Sequence, residues 1–413
     1  MTVPTAVDPS QARPGRLPGT ARLVVTAAWA SNIGDGIRSV ALPLLATTVT
    51  ANATLIGATV GATLLPGAVL GAPVGVVIDR LDRRRVALWS DLARIGVAVG
   101  LLAAILSGTT TIAMVIAAAA LLGVGETFRD LAGGALIADA VEDSDLEAAN
   151  GSLIVAEVAG NTMLGPIAGS GLWAVARSIP FAFDAAALAV SAVVTRRLAS
   201  TSTLERRTQG PRLRLRAELL GAGRYTWSDA VLRRVLLTST AVQTAMFFVI
   251  GVEVVWVLDR LRIGAVGLGA VNAAVAAGGI AAGMAVKRID LAPVGPRVTT
   301  ASVATLALAV AGYTSTALPI VFTCLFVGGA ALVAGDIILR AARVRAAGAD
   351  HVGRVTGIIR TAMWAGGSVG AVAGGAVAEA HGVVTTFTIA AVALGAIAVA
   401  TAVWSPIPDP TAT

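Results

Sequence analysis

The strongest constraint on this chain is a recurrence of long apolar runs, each bounded by a short polar gap. They fall at about 21–47, 52–78, 86–106, 110–132, 149–174, 178–197, 235–257, 264–286, 295–313, 317–341, 355–378 and 383–404. A helix needs roughly 20 apolar residues to cross the hydrocarbon core of a bilayer. A bilayer also demands that every backbone polar group be satisfied within the segment. The pattern therefore predicts an all-α polytopic membrane protein of twelve transmembrane helices. Composition agrees: of 413 residues 56% are hydrophobic and 13% charged, against about 25% charged in soluble domains.

The net charge of +7 does not point to nucleic acid, because the basic residues gather mostly in every second gap. Those gaps hold Arg80, Arg83, Arg84 and Arg85, then Arg196 to Arg224, then Lys287, Arg288 and Arg297, then Arg343, Arg345 and Arg354. The alternate gaps carry little beyond Arg177, Arg260 and Arg262. By the positive-inside rule the basic gaps and both termini are expected to be cytoplasmic. The gap at 138–150 is acidic, and acidic residues weigh little in that rule. The longest polar interval splits the segments six and six. The expected organisation is a tail (1–20), a six-helix bundle (21–197), a basic linker (198–234), a second six-helix bundle (235–404) and a tail (405–413). Part of the linker, LRLRAELLGAGRYTW, reads equally as an interfacial amphipathic helix or a charged tether. The N-terminal stretch has no compact signal peptide and reads as a cytoplasmic tail.

A six-plus-six arrangement invites a search for an internal repeat. Gly75, Asp79, Arg80 and Asp82 align with Gly283, Lys287, Arg288 and Asp290, but Arg83, Arg84 and Arg85 have no basic counterparts.

Charges inside a span are costly and face the bundle interior or a cavity. Asn32, Asp35 and Arg38 stand three apart on one face of the first segment. They read either as a packed polar brace or as a cavity lining with Asp35 as a titrating carboxylate. Asp91 and Arg94 read as an intrahelical or loop-anchoring ion pair. Glu126 and Arg129 share a face of the fourth segment, with Asp130 turned away. Glu157 and Arg360 lie at comparable depth, which makes them a possible cross-bundle pair. Glu253 is a second candidate for proton coupling. Gly165, Pro166 and Gly169 permit close helix contact, and Gly366, Gly370 and Gly374 form a second small-residue stripe. The single cysteine, Cys324, excludes an internal disulfide, and two histidines are too few for a histidine-rich metal site. No nucleotide-binding, zinc or nucleophile motif occurs. Cofactors and enzymatic chemistry are not expected.

GVVIDRLDRRR after the second segment, with Gly75, Asp79, Arg80, Arg84 and Arg85, resembles the second-to-third loop signature of the major facilitator superfamily. The resemblance implies that Asp79 and these arginines take part in a gating latch between two halves. The segment at 149–172 is similar to the glycine-proline motif of that family's antiporters at Gly165, Pro166 and Gly169, though Asn161 and Ser170 stand where glycine is expected. Arg129 lies later in its segment than the arginine of the family's drug exporters. Asn32 with Asp35, Asp91 with Arg94, and GRVTGIIR at 353–360 look like the bacterial macrolide and enterobactin exporters. The implied protein is a monomeric secondary active exporter in the bacterial cytoplasmic membrane, exchanging a small organic compound for protons. Uptake or facilitated diffusion of a nutrient, and a non-transporting sensor or scaffold, remain alternatives.

Overall fold

The computed structural model describes residues 17–142, 144–201, 215–286 and 295–403. The repeat partner at Lys287, Arg288 and Asp290 and the tail 405–413 lie outside them, as does most of the tail 1–20. Among the described residues every element is helical: α1 (Gly19–Val49), α2 (Ala53–Arg80), α3 (Arg83–Ser107), α4 (Ile112–Ala140), α5 (Leu146–Glu157), α6 (Gly165–Val175), α7 (Ile179–Thr201), α8 (Leu215–Ser228), α9 (Ala230–Val255), α10 (Gly264–Val286), α11 (Gly295–Gly312), α12 (Leu318–His381) and α13 (Val383–Val403).

Eight of these helices are long and apolar enough to cross a membrane. The other four expected segments are also helical, but each departs from a plain apolar rod. Helix α1 carries Asp35 and Arg38 near its middle. The fifth segment is broken by a π-helical turn, Val158–Leu164, between α5 and α6. The apolar part of α11 is short, Arg297–Gly312. Segment 355–378 forms the second part of α12 and carries Arg360. The chain is thus a multi-pass helical membrane protein.

Local signals end the helices where the chain must turn. Asp82 caps α3, its Oδ1 accepting from the backbone N–H of Arg84 at 3.0 Å and Arg85 at 3.4 Å. Gly108, at φ 70°, closes the same helix in the left-handed conformation. Asp229 caps α9, so that helix begins at Ala230, five residues before the expected apolar boundary. The gap expected between the tenth and eleventh segments is a sharp break at Gly348, where one helical stretch ends and the next begins, rather than an extended loop. Helix runs through Arg343, Arg345 and Arg354, with one non-helical residue, Gly348 (φ 66°, ψ 168°). Only glycine adopts that conformation without steric cost. The linker contains α8, the helical one of its two readings, and Tyr225 of α8 stacks on His351 of α12 with ring centroids 4.5 Å apart.

Helices α1 to α7 pack mainly on one another, α1 against α6 and α7, α2 against α4, and α3 against α4 and α7. Helices α9, α10 and α11 pack on α12, and α13 on α11. Two seams join these groups, α2 with α12 and α6 with α10. The first seam is built of small residues: Gly61 and Ser368 meet there, with Ser368 Oγ donating to Gly61 O at 2.9 Å. At its end the Glu379 carboxylate of α12 accepts from Ala53 N, at the start of α2, at 2.6 Å. A carboxylate at a helix N-terminus also meets the positive end of the helix dipole. Gly57 faces the backbone oxygen of Ala371 with no room for a Cβ. Gly57→Leu is expected to part the seam and cost about 1–3 kcal/mol through overpacking, read as a lower unfolding temperature of the purified protein.

The glycine-proline segment packs on α1 in the same manner. Pro166 has no N–H to return to the preceding turn, and the π-helical turn falls immediately before it. The widened backbone lies against Gly36, whose Cβ would sit 2.6 Å from Gly160 O. A Cβ on Gly169 would come 2.6 Å from Ile37 O. The stripe of Gly366, Gly370 and Gly374 faces Thr244 and Phe248 of α9.

Candidate functional site

Helical periodicity places Ser31, Asp35 and Arg38 on the face of α1 that turns toward α3, α4 and α7. Arg38 there serves three carboxylates: Asp35 at 2.7 Å, Glu126 of α4 at 2.8 Å and Asp184 of α7 at 3.5 Å. Arg94 of α3, wholly buried, contacts the same Oδ1 of Asp35 that Arg38 meets and donates to Ser31 Oγ at 3.0 Å. Its intrahelical partner Asp91 stands farther off, at 3.8 Å. Asp91 pairs instead with Arg129 Nε at 3.3 Å and accepts from Ser191 Oγ of α7 at 2.7 Å. Arg129 Nη2 donates to the same hydroxyl at 3.3 Å.

The result is one continuous ionic network crossing four helices. Close backbone approach makes it possible: Gly125 of α4 leaves space for the aliphatic stem of Arg94, and Gly34 of α1 for the Asp184 carboxylate. A buried charge persists only when paired and hydrogen-bonded, and here Asp35, Arg38, Asp91, Arg94, Arg129 and Asp184 are all buried. Glu126 is the exposed edge of the network, its side chain 27% accessible.

Sequence spacing alone misassigns several partners. Glu126 and Arg129 share a helix face yet do not pair, each being drawn to a different helix. Asp91 and Arg94 are primarily interhelical. Asn32 stays out of the network, its Nδ2 returning to Ala28 O of its own helix at 2.8 Å. Arg360 pairs with Asp130 at 3.5 Å rather than with Glu157, and its guanidinium lies 4.2 Å from the centre of the Trp364 ring. Glu126 and Glu157 lie within electrostatic reach of Asp130. Asp184, legible in the sequence only as one more charge inside a segment, gains its partner from the structure, and Glu379, unremarked in the sequence, is the residue the structure adds.

Glu253, near the end of α9, makes no ion pair among the described residues. It lies within electrostatic reach of Tyr313, which packs with Trp256 and Phe387 in an aromatic cluster with centroids 5.3–6.0 Å apart. A cavity of about 610 Å³ opens beside Arg260, Arg262, Thr316 and His381. None of the expected site residues lines it.

In the basic loop, α2 continues through Gly75, Asp79 and Arg80, so the turn is only two residues long, at Leu81 and Asp82. The side chains of Asp79 and Arg80 lie outside the described residues. Arg85 approaches Asp82 at 3.6 Å on the exposed surface. Arg83 reaches across to Asp139 of α4 at 2.6 Å, which gives the acidic gap at 138–150 a basic neighbour. Arg83→Ala is expected to loosen this contact at a cost of about 0.2–1 kcal/mol, the range of partly exposed pairs, read by thermal unfolding at low and high salt.

No curated protein sequence matches the chain. Solved structures match over nearly its whole length. A mutant of the nucleoside transporter NupG superposes with a TM-score of 0.71 at 12% identity, covering 94% of this chain and 100% of that one. A bacterial homologue of the iron transporter ferroportin, in an inward-facing state, gives 0.70 at 13%, covering 92% and 98%. A bacterial homolog of the human lysosomal transporter Spinster, inward-facing and occupied, gives 0.70 at 12%, covering 93% and 96%. At these identities the likeness is one of fold. The family model described as Major Facilitator Superfamily matches residues 24–301, well over half of the chain. With the helical fold and the comparisons in agreement, the chain belongs to the Major Facilitator Superfamily and is a multi-pass membrane transporter of small molecules rather than an enzyme.

Proposed function

We propose that the protein is a secondary active exporter of a small organic compound, working by alternating access in exchange for protons. The observation that carries this reading is the ionic network, in which four carboxylates (Asp35, Asp91, Glu126 and Asp184) share three guanidiniums (Arg38, Arg94 and Arg129) inside membrane-spanning helices. A buried site with one surplus carboxylate favours a proton, because an uncompensated charge in a low-dielectric interior is costly. Asp35 is the centre of the network, since it alone joins Arg38 to Arg94. Glu253, without an ionic partner among the described residues, is a second proton site nearer the far end of α9.

The same reading divides the chain into two six-helix bundles, 21–197 and 235–404, that rock about the α2–α12 and α6–α10 seams. It is supported by the coincidence of all twelve apolar segments with helix and by the mutual packing of α1–α7 and of α9–α13. Asp79, Arg80, Arg84 and Arg85 form the cytoplasmic latch, with both termini cytoplasmic and the Glu379–Ala53 contact at the opposite end. The substrate class that the exporter resemblance implies is an amphipathic drug, secondary metabolite or siderophore.

Everted membrane vesicles test the reading. Efflux of a panel of lipophilic drugs is expected to stop when the proton gradient is dissipated. Asp35→Asn is expected to lose gradient-driven efflux entirely while retaining downhill exchange, and full proton-driven efflux in that variant would overturn the role of Asp35. Asp79→Ala is expected to slow transport severalfold with the amount of membrane protein unchanged; an unaltered rate would remove the latch.

A further inference from the structure

Resting on the proton-exchange reading, we propose that Asp184 is the carboxylate on which the exchanged proton resides. With all seven groups ionised, the network of Asp35, Asp91, Glu126, Asp184, Arg38, Arg94 and Arg129 carries one net negative charge. One proton brings it to neutrality, and the geometry decides where that proton sits.

Asp91 is held by Arg129 at 3.3 Å and by the Ser191 hydroxyl at 2.7 Å. Asp35 lies between two guanidiniums, Arg38 at 2.7 Å and the directly contacting Arg94. Glu126 has Arg38 at 2.8 Å and is open to its surroundings over 27% of its side chain. Asp184 alone is both enclosed and weakly served. Among the described residues its only close cation is Arg38 at 3.5 Å, through the same Nη1 that already meets Asp35. Its Oδ2, like Oδ1 of Asp91, is buried without a hydrogen-bond partner among the described residues, so the nearer cation at Asp91 is what separates the two.

The charged groups on the helices packed around it are Asp35 and Arg38 on α1, Asp91 and Arg94 on α3, and Glu126, Arg129 and Asp130 on α4. Each of the other carboxylates has a nearer cation or greater exposure, Asp130 included, which pairs with Arg360 and has a side chain 30% accessible. Ionised Asp184 would face Glu126 across a single shared guanidinium, an arrangement that raises the cost of keeping both charged. The proton therefore binds at Asp184 Oδ2. When that O–H bond breaks, the proton leaves by way of Glu126, the network's exposed carboxylate, and Arg38 swings from Glu126 toward the new Asp184 carboxylate.

The test needs no substrate. Infrared spectra of the full-length protein carrying Glu253→Gln, which removes the second proton site and is the background for every variant below, are expected at neutral pH in lipid bilayers to contain a carbonyl stretch from a protonated carboxylic acid. Asp184→Glu, which keeps the acid, is expected to move that band, whereas Glu126→Asp and Asp35→Glu leave it in place. Asp184→Asn is expected to remove it, and the conservative variant keeps the test valid should the asparagine form not fold. A band that ignores Asp184→Glu, a band that moves with Glu126→Asp, or no protonated band at all would overturn the assignment. The vesicle assay separates the two readings. Proton-coupled efflux with an unmoved band refutes Asp184 and keeps the exchange. Efflux that ignores the gradient, with a band that does move, refutes the exchange and keeps Asp184 as the protonated member of the network.

Discussion

Replacing Arg94 by alanine is expected to cost about 3–5 kcal/mol of stability, the penalty for leaving a buried charge without its partner. Arg94 is wholly buried and contacts Asp35, Ser31 and Asp91 at once, and Gly125 exists as glycine where the arginine stem passes. Its removal leaves Asp35 to compete with Glu126 and Asp184 for Arg38 and opens a void lined by polar atoms. Thermal unfolding of the detergent-solubilised protein measures the loss. A double-mutant cycle isolates the ionic part: Arg94→Ala together with Asp35→Ala should be less destabilised than the sum of the two single changes, because neither charge is then stranded. A single variant as stable as the parent would show that the network is not what holds α1 to α3.

Gly165→Leu is the second large effect. A Cβ there would stand 2.5 Å from Gly36 Cα and 2.6 Å from Gly160 O, and both neighbours are backbone that cannot rotate aside. Helix α1 would have to retreat from α6, carrying Asp35 and Arg38 away from α3, α4 and α7. Overpacking of this kind costs about 1–3 kcal/mol, occasionally more, and loss of transport is expected to accompany it. Gly171→Leu is the matched control, since a Cβ at that position meets nothing within 4 Å. Equal behaviour of the two variants would show that the contact between α1 and the glycine-proline segment does not constrain the fold.

Much of the architecture is legible in the chain because a bilayer permits few solutions. Long apolar runs must be helices, and a charge placed inside one must face a partner or a cavity. The three-residue spacing of Asp35 and Arg38 therefore identifies the face of α1 that meets buried charged partners, and the small residues at Gly165 and Gly169 identify a close helix contact. The segment boundaries blur where that rule relaxes, outside the apolar core: α9 begins early at a capping aspartate, and α12 runs through an expected loop with a single break at Gly348.

Partner choice is the part that spacing cannot reach. A period of 3.6 residues fixes which side chains share a face, not which helix lies opposite that face. Arg94 and Asp35 are 59 residues apart, Arg38 and Asp184 146, and Ala53 and Glu379 326. The sequence by itself determined the helical membrane class, the family signature in the basic loop and the set of intramembrane charges. Only the tertiary structure decided that Arg129 serves Asp91, that Arg360 serves Asp130, and that Asp184 is the buried acid with the weakest cation. The physical reason is that those pairings depend on how closely glycine-lined helices approach, a property of two surfaces and not of either strand of sequence alone.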